Sequence, residues 1–426
     1  MATDVFPRMF AVRQRYPKSP PLDIRSTVRQ EFARVQSQIK PGARIAVAVG
    51  SRGISNLSSI VGAVLEHLQN AGAKPFIVPA MGSHGGATPE GQTQVLAEYG
   101  VTEARFKVPV KAAMEVERLG ATEDGVEVFF SAEALRSDGV VVINRIKPHT
   151  DFSSDSLGSG LIKMLVVGLG KRVGAANFHV AAARLGYARV LPGIARVTLR
   201  SAPILCGVGV VEDQFHETAA IAVLKPEEFE SREAELFRQA KRLMPKLPFE
   251  EIDLLIVDRI GKNISGSGMD PNITGRWVHR YSSAIGDGYQ TSPTVRRLLV
   301  RDLTPETRGN AIGIGLADFT TSRLVRSMDQ QVTYVNCLTS LTPNSAKIPI
   351  HFETDREALS RALDSLALPD PRQAKIARIA DTLSLEHLEL SEVYGDLLKQ
   401  RSDLETVAGP QQIEFDAANN LKPLAA

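Results

Sequence analysis

"RIAVAVGSRGISNLSSIVGAVLEHLQNAGAKPFIVPAMGSHGG", residues 44–86, decides the fold. It opens with a continuous apolar run, RIAVAVGS, that ends in Gly-Ser, as a buried strand does on reaching a loop. ISNLSSIVGAVLEHLQNAGA then places apolar residues at helical spacing and stops at Gly72. KPFIVPAMGSHGG is the next strand with its exit loop. A strand, a helix and a second strand in this order predict two parallel strands joined by a covering helix.

The same alternation extends outward. In TPEGQTQVLAEYG (88–100), Thr88 is placed as N-cap with Pro89 in the first helical position. Short strands are expected in VEVFFS (126–131) and SDGVVVINRIK (137–147). The fold class is α/β with mainly parallel sheets. KPEEFESREAELFRQAKRLMPKL (225–247) reads as a charged amphipathic helix ending near a proline, and EIDLLIVDRIGKNISGSG (251–268) starts a fresh strand with a glycine-rich exit. The boundary is expected at residues 245–250, giving an N-terminal domain over 1–248 and a C-terminal α/β domain over 249–400, the latter including the helix TDREALSRALDSL (354–366). An active site is expected in the cleft between two such domains. Residues 401–426 read as a partly ordered tail or a strap back onto the first domain.

Bulk properties agree with two domains: 426 residues are too many for one ordinary core. With 43% hydrophobic and 23% charged residues and a net charge of +2, neither nucleic acid nor a membrane surface is expected as partner. Cys206 and Cys337 lie in apolar surroundings (PILCGVG and YVNCLTS) and read as buried strand residues, not a disulfide. The first residues lack the apolar core and cleavage site of a secretory signal, and no run approaches the roughly 18 apolar residues of a membrane helix. The expected location is the cytoplasm.

The chemistry is concentrated around residues 144–179, NRIKPHTDFSSDSLGSGLIKMLVVGLGKRVGAANFH. GLGKRVG (168–174) is not a Walker loop, because Arg172 stands where a magnesium-binding hydroxyl is required. Nor does its G-x-G-x-x-x-G spacing fit the dinucleotide fingerprint. His84 and His149 both fall at strand exits, where open α/β sheets bind ligands. A lone loop histidine is more often a surface residue, but two on neighbouring exits converge in space. His179 closes NFH and could cap a helical turn. The remaining histidines, His67, His216, His279, His351 and His387, read as structural or surface residues. Arg52, where the first strand meets its helix, is placed to bind an anion or to stand in solvent.

Taken in order, these motifs resemble the lactate racemase family. GSRG at Arg52 echoes its threonine-arginine strand loop, and MGSHGGATPE at His84 echoes its histidine loop before a helix. His149 followed by GSGLIK echoes its histidine and serine-glycine-glycine-x-lysine segment, and NFH echoes its asparagine-histidine. Lys163 and His179 stand 16 residues apart, as in the family pattern, with Gly168 matching the glycine between them. The resemblance implies a nickel-pincer nucleotide, nickel on a pyridinium-3,5-bisthiocarboxylic acid mononucleotide, joined covalently to Lys163, with His179 as the protein's metal ligand. Gly50, Ser51, Arg52, Ser159 and Gly160 would line this cofactor. His84 and His149 would be the paired acid/base groups for a 2-hydroxy acid whose Cα hydride moves to the cofactor and returns to the other face. Soft sulfur donors with one imidazole suit nickel. Cofactor maturation enzymes are then expected partners.

The chain departs from the family around the substrate. About four extra residues follow His149, and Gly85-Gly86 replace arginine-proline. In SGSGMDPNITGRWVH, Asp270 and Asn272 match, but the substrate-gripping glutamine and lysine become Gly275 and Val278. Arg276 is the candidate replacement, with Arg52, Asp270 and Asn272 as further substrate contacts. These changes imply a substrate larger or more polar than lactate, such as malate or a sugar acid. Two other readings remain: a zinc-dependent hydrolase with His84, His149 and His179 as ligands, and a non-catalytic homologue that binds the cofactor.

Overall fold

The computed structural model describes residues 5–50, 53–150, 152, 154–277 and 293–424. The chain divides into two compact units, one of Lys18–His149 with Ser153–Met244, the other of Met1–Pro17, Thr150–Phe152 and Pro245–Ala426. Both are α/β, as the strand–helix alternation predicts.

The first unit is built on a five-stranded sheet in the spatial order Lys74–Pro79, Arg44–Val49, Gly139–Arg145, Ile204–Glu212, Thr218–Leu224. The first four strands are parallel and the last turns back antiparallel. Every residue of Ile45–Val49 is buried, which is why these strands read as unbroken apolar runs: helices cover both faces. The helix Leu57–Asn70 presses Ile60, Val61, Val64 and Leu68 into this core, the i, i+4 and i+8 stripe that the sequence displays. Thr88 caps Pro89–Glu98 as expected, its hydroxyl accepting from Gly91 N at 3.1 Å. VEVFFS forms the expected strand, but outside the main sheet. Glu127–Ser131 leaves the parallel sheet and forms an antiparallel ribbon with Val116–Ala121.

The second unit carries an eight-stranded mixed sheet. Its parallel part runs Ile350–Phe352, Phe319–Thr321, Thr294–Leu303, Glu251–Ile260, Ile376–Ile379. It continues antiparallel through His387–Ser391, Met9–Gln14 and Leu404–Gln411. The tail therefore does pair with the chain's first strand, but that strand belongs to the C-terminal unit and not to the domain drawn over 1–248. The pairing covers the open side of Met9–Gln14, and Leu404–Gln411 takes its place as the edge strand. Cys206 is buried in a strand, whereas Cys337 is buried in the helix Gln330–Thr339, and both are free. Among the described residues, no helix is long and apolar enough to cross a membrane.

Candidate active site

Three adjacent parallel strands of the first unit end together: Val49 lies level with Pro79 on one side and Ile143 on the other. Their carboxyl ends therefore deliver Gly50, the His84 loop and the segment leading to His149 to one edge of the sheet, where such folds bind ligands. Gly50 is buried there. Ser51 and Arg52, expected beside it, lie outside the described residues.

The segment after Gly139–Arg145 is closed by a two-way backbone bridge, Lys147 N to Ser159 O at 2.9 Å and Ser159 N to Lys147 O at 2.8 Å. This bridge fixes residues 147 and 159 beside one another. Asn144 Nδ2 donates to Gly160 O at 2.9 Å, tying the bridge to the strand end. A one-turn helix, Leu161–Lys163, follows and passes into a π turn over Met164–Gly168, with Leu169 N reaching back to Met164 O at 2.9 Å. Such wide turns recur at functional sites. Lys163 stands at this junction, and its Nζ makes a hydrogen bond with Nε2 of His149, which is buried.

Glu233 holds the start of that turn. It comes from the helix Phe229–Leu243 and accepts from Ile162 N at 2.9 Å and from Leu161 N. A Cβ on residue 160 would run into its carboxylate, so Gly160 is required for the approach. Burial pushes the Glu233 carboxyl up to about 8, against the lowering effect of the two N–H donors. Sequence reading missed Glu233. Its signal was an acid in the stripe Phe229, Glu233, Phe237, where the helix otherwise buries apolar side chains.

A second buried group stands behind His84. Lys171 is fully buried, and its Nζ donates to Pro79 O at 2.6 Å and to Gln92 Oε1 at 3.3 Å. The amide of Gln92 in turn donates to Gly82 O at 3.0 Å and His84 O at 3.3 Å. Burial lowers the Lys171 ammonium to about 8, with Glu115 opposing the shift. Lys171 is thus committed to shaping the histidine loop. His84 itself is exposed.

His179 lies inside the helix Lys171–Leu185 and is half-buried. Its ring meets Phe178 edge-on at 5.3 Å, Phe178 meets Tyr187 at 5.5 Å, and Tyr187 meets His149 at 5.9 Å. Two buried aromatic rings therefore connect the neighbourhoods of His149 and His179. Among the described residues no group of three His, Cys, Asp or Glu side chains is gathered as a metal site. The three-histidine zinc reading has no assembled ligand set.

The substrate candidates of the second unit are engaged within it. Asp270 caps the turn Pro271–Thr274, accepting from Asn272 N at 3.0 Å and Asn272 Nδ2 at 2.8 Å. Arg276 Nη2 donates to Asp318 at 2.8 Å and to the carbonyl of Val295 at 2.9 Å. Gly85 and Gly275 do not open room. Both have left-handed φ, +63° and +67°, and the place of a side chain is filled by the backbone of Gly91 and of Pro293 respectively. Of the three glycines, Gly86 alone faces open space. Val278 lies outside the described residues.

Residues 24–195 match the family model of the lactate racemase N-terminal domain. No curated protein matches the chain. Among solved structures, the lactate racemase apoprotein from Thermoanaerobacterium thermosaccharolyticum aligns with a TM-score of 0.54 at 14% identity, covering 88% of this chain and 99% of that one. At this identity the structural likeness speaks for the fold, while the domain match bears out the resemblance carried by the motifs.

Proposed function

We propose that this chain, whose residues 24–195 match the lactate racemase N-terminal domain, racemises or epimerises a 2-hydroxy acid with a nickel-pincer nucleotide attached to Lys163. The observation that carries this reading is the contact of Lys163 Nζ with His149 Nε2, at the edge of the sheet where the His84 loop also emerges.

The residues suit the group. The turn bearing Lys163 is fixed by Glu233 and Asn144, and His179 is linked to it through two aromatic rings. A metal carried on sulfur and carbon donors asks the chain for one imidazole instead of a cluster. His179 would be that ligand. Gly50, Ser159 and Gly160, with Ser51 and Arg52, would line the nucleotide. When bound, the cofactor supplies an acceptor for hydride that can return it.

The histidines do the proton chemistry. His149 or His84 would take the proton of the substrate hydroxyl, and the other would return a proton on the opposite face, the bound cofactor supplying the hydride acceptor between them. Such groups each contribute on the order of 100-fold or more. The family's substrate-gripping glutamine and lysine are absent here, which favours a 2-hydroxy acid other than lactate.

Protein co-expressed with cofactor maturation enzymes tests the reading. Intact mass should show an adduct that peptide mapping assigns to Lys163. His179→Ala should lose nickel, whereas His84→Ala and His149→Ala should keep it and lose about 100-fold in turnover of the best acid in a 2-hydroxy acid screen. An adduct on Lys171, or wild-type turnover by His84→Ala, would overturn it.

A further inference from the structure

The Lys163–His149 hydrogen bond joins two bases. A bond between two nitrogens needs a proton on one and a lone pair on the other. The amine and the imidazole therefore share one proton along this contact. The arrangement is built from both sides. His149 is 5% exposed, follows Pro148, and rests on the Tyr187 ring. Lys163 sits in a turn whose N-terminal amides are held by Glu233. Two mobile surface chains meeting by chance would show neither support.

An ammonium has no lone pair, and a lysine becomes a nucleophile when a neighbour takes its proton. We propose that His149 is the base that activates Lys163 to capture the cofactor, and takes up its role toward substrate only after that capture. This rests on the cofactor reading above. In the step, Lys163 passes a proton to His149 Nε2. The amine lone pair then forms a C–N bond to the carbon of a thiocarboxylate arm, and the C–O bond of that arm breaks. The oxygen leaves as water, carrying one proton from the amine and one returned by His149. The arm keeps its sulfur, the linkage is a thioamide, and nothing is oxidised or reduced. Once the nitrogen is acylated its lone pair is delocalised into the thioamide and no longer competes with His149 Nε2 for a proton, so that the imidazole is the base left to face a substrate hydroxyl. One imidazole thus serves two reactions in sequence.

The test begins on the full-length protein without cofactor, using S-phenyl thioacetate as an acyl probe at neutral pH and peptide mass spectrometry as readout. Lys163 should be acylated about tenfold or more faster than the median lysine of the same chain. His149→Gln keeps a hydrogen-bonding side chain but removes the basic nitrogen. It should bring Lys163 down to the median, and His149→Ala should regain labelling when free imidazole is added. Melting curves confirm that the variants compared are folded. Unchanged labelling of Lys163 in His149→Gln, or a wild-type Lys163 no faster than the median, overturns the proposal. The second arm uses protein co-expressed with maturation enzymes: the adduct fraction should fall about tenfold in His149→Gln and persist in His84→Gln. If wild-type protein carries no adduct at all, the cofactor reading fails, while the acyl-probe arm still decides whether His149 activates Lys163.

Discussion

In the C-terminal unit, Asp355 is fully buried and receives Arg301 Nε at 2.8 Å and Arg323 Nη2 at 2.7 Å. Asp258 takes both Arg301 and Arg378, and Arg378 also reaches Glu389. Backbone groups near the end of the chain close the cluster: Leu421 N donates to Asp355, and the carbonyls of Leu421 and Lys422 accept from Arg301 and Arg378. In the N-terminal unit, Lys171 and Glu233 are as deeply buried, but their hydrogen bonds run to a carbonyl, a side-chain amide and backbone N–H groups. One unit meets the cost of burying charge with opposite charge, and its network spans strands and tail. The other accepts groups that titrate near neutrality, each one step behind a proposed site residue, Lys171 behind His84 and Glu233 behind Lys163. The paired charges of the C-terminal cluster serve architecture, while the singly held Lys171 and Glu233 stand by the proposed site, where a largely buried pair, Arg145 with Glu212, is also found.

The largest effect is expected where pairing is densest. Asp355→Ala leaves Arg301 and Arg323 short of counter-charge and should cost about 3–5 kcal/mol. Trp277, the sole tryptophan and buried in that unit, reports its urea unfolding directly. A loss below about 1 kcal/mol would erase the contrast. Lys171→Met should behave oppositely. Removing a singly held buried ammonium should leave global stability within about 1 kcal/mol, because desolvation relieved offsets hydrogen bonds lost. Amide exchange over residues 82–86 should nonetheless quicken about tenfold as Gln92 loses its anchor; unchanged exchange would show that the clamp does not hold the His84 loop. The effect of Glu233→Gln is read in how stability depends on pH. Folded, the carboxyl is held near 8, above its ordinary 4.5. Between these values the folded state keeps a proton that the unfolded chain has released, so wild-type stability should fall as pH rises from about 5 to 8. Melts followed by circular dichroism should find that fall flattened in Glu233→Gln, and an equal slope in both proteins would mean Glu233 is ionised throughout.

What the sequence disclosed was local. Thr88 and Thr354 cap their helices with side chains three residues from the amides they serve, and the covered strands announce themselves as apolar runs. Cys337 was misplaced because QQVTYVNCLT is rich in β-favouring residues. Asp329 overrides that preference by capping a helix through Val332 N at 2.9 Å. The antiparallel half of the large sheet was illegible because Met9–Gln14 pairs with strands from the far end of the chain. The site divides in the same way. Motifs named His84, His149, Lys163 and His179, but no spacing shows that Lys163 touches His149, or that Glu233, seventy-one residues from Ile162, holds the turn between them.

The pairing of Met9–Gln14 with Leu404–Gln411 has a consequence for biosynthesis. On the ribosome, the segments that form the Lys18–Met244 unit emerge as a nearly continuous stretch and can fold early, as domains generally do. The first strand must wait, unpaired, until almost the whole chain has been translated, and the carbonyls that complete the Arg301 and Arg378 network arrive later still. A ribosome stalled near codon 400 would therefore display a finished N-terminal unit tethered to an unfinished one.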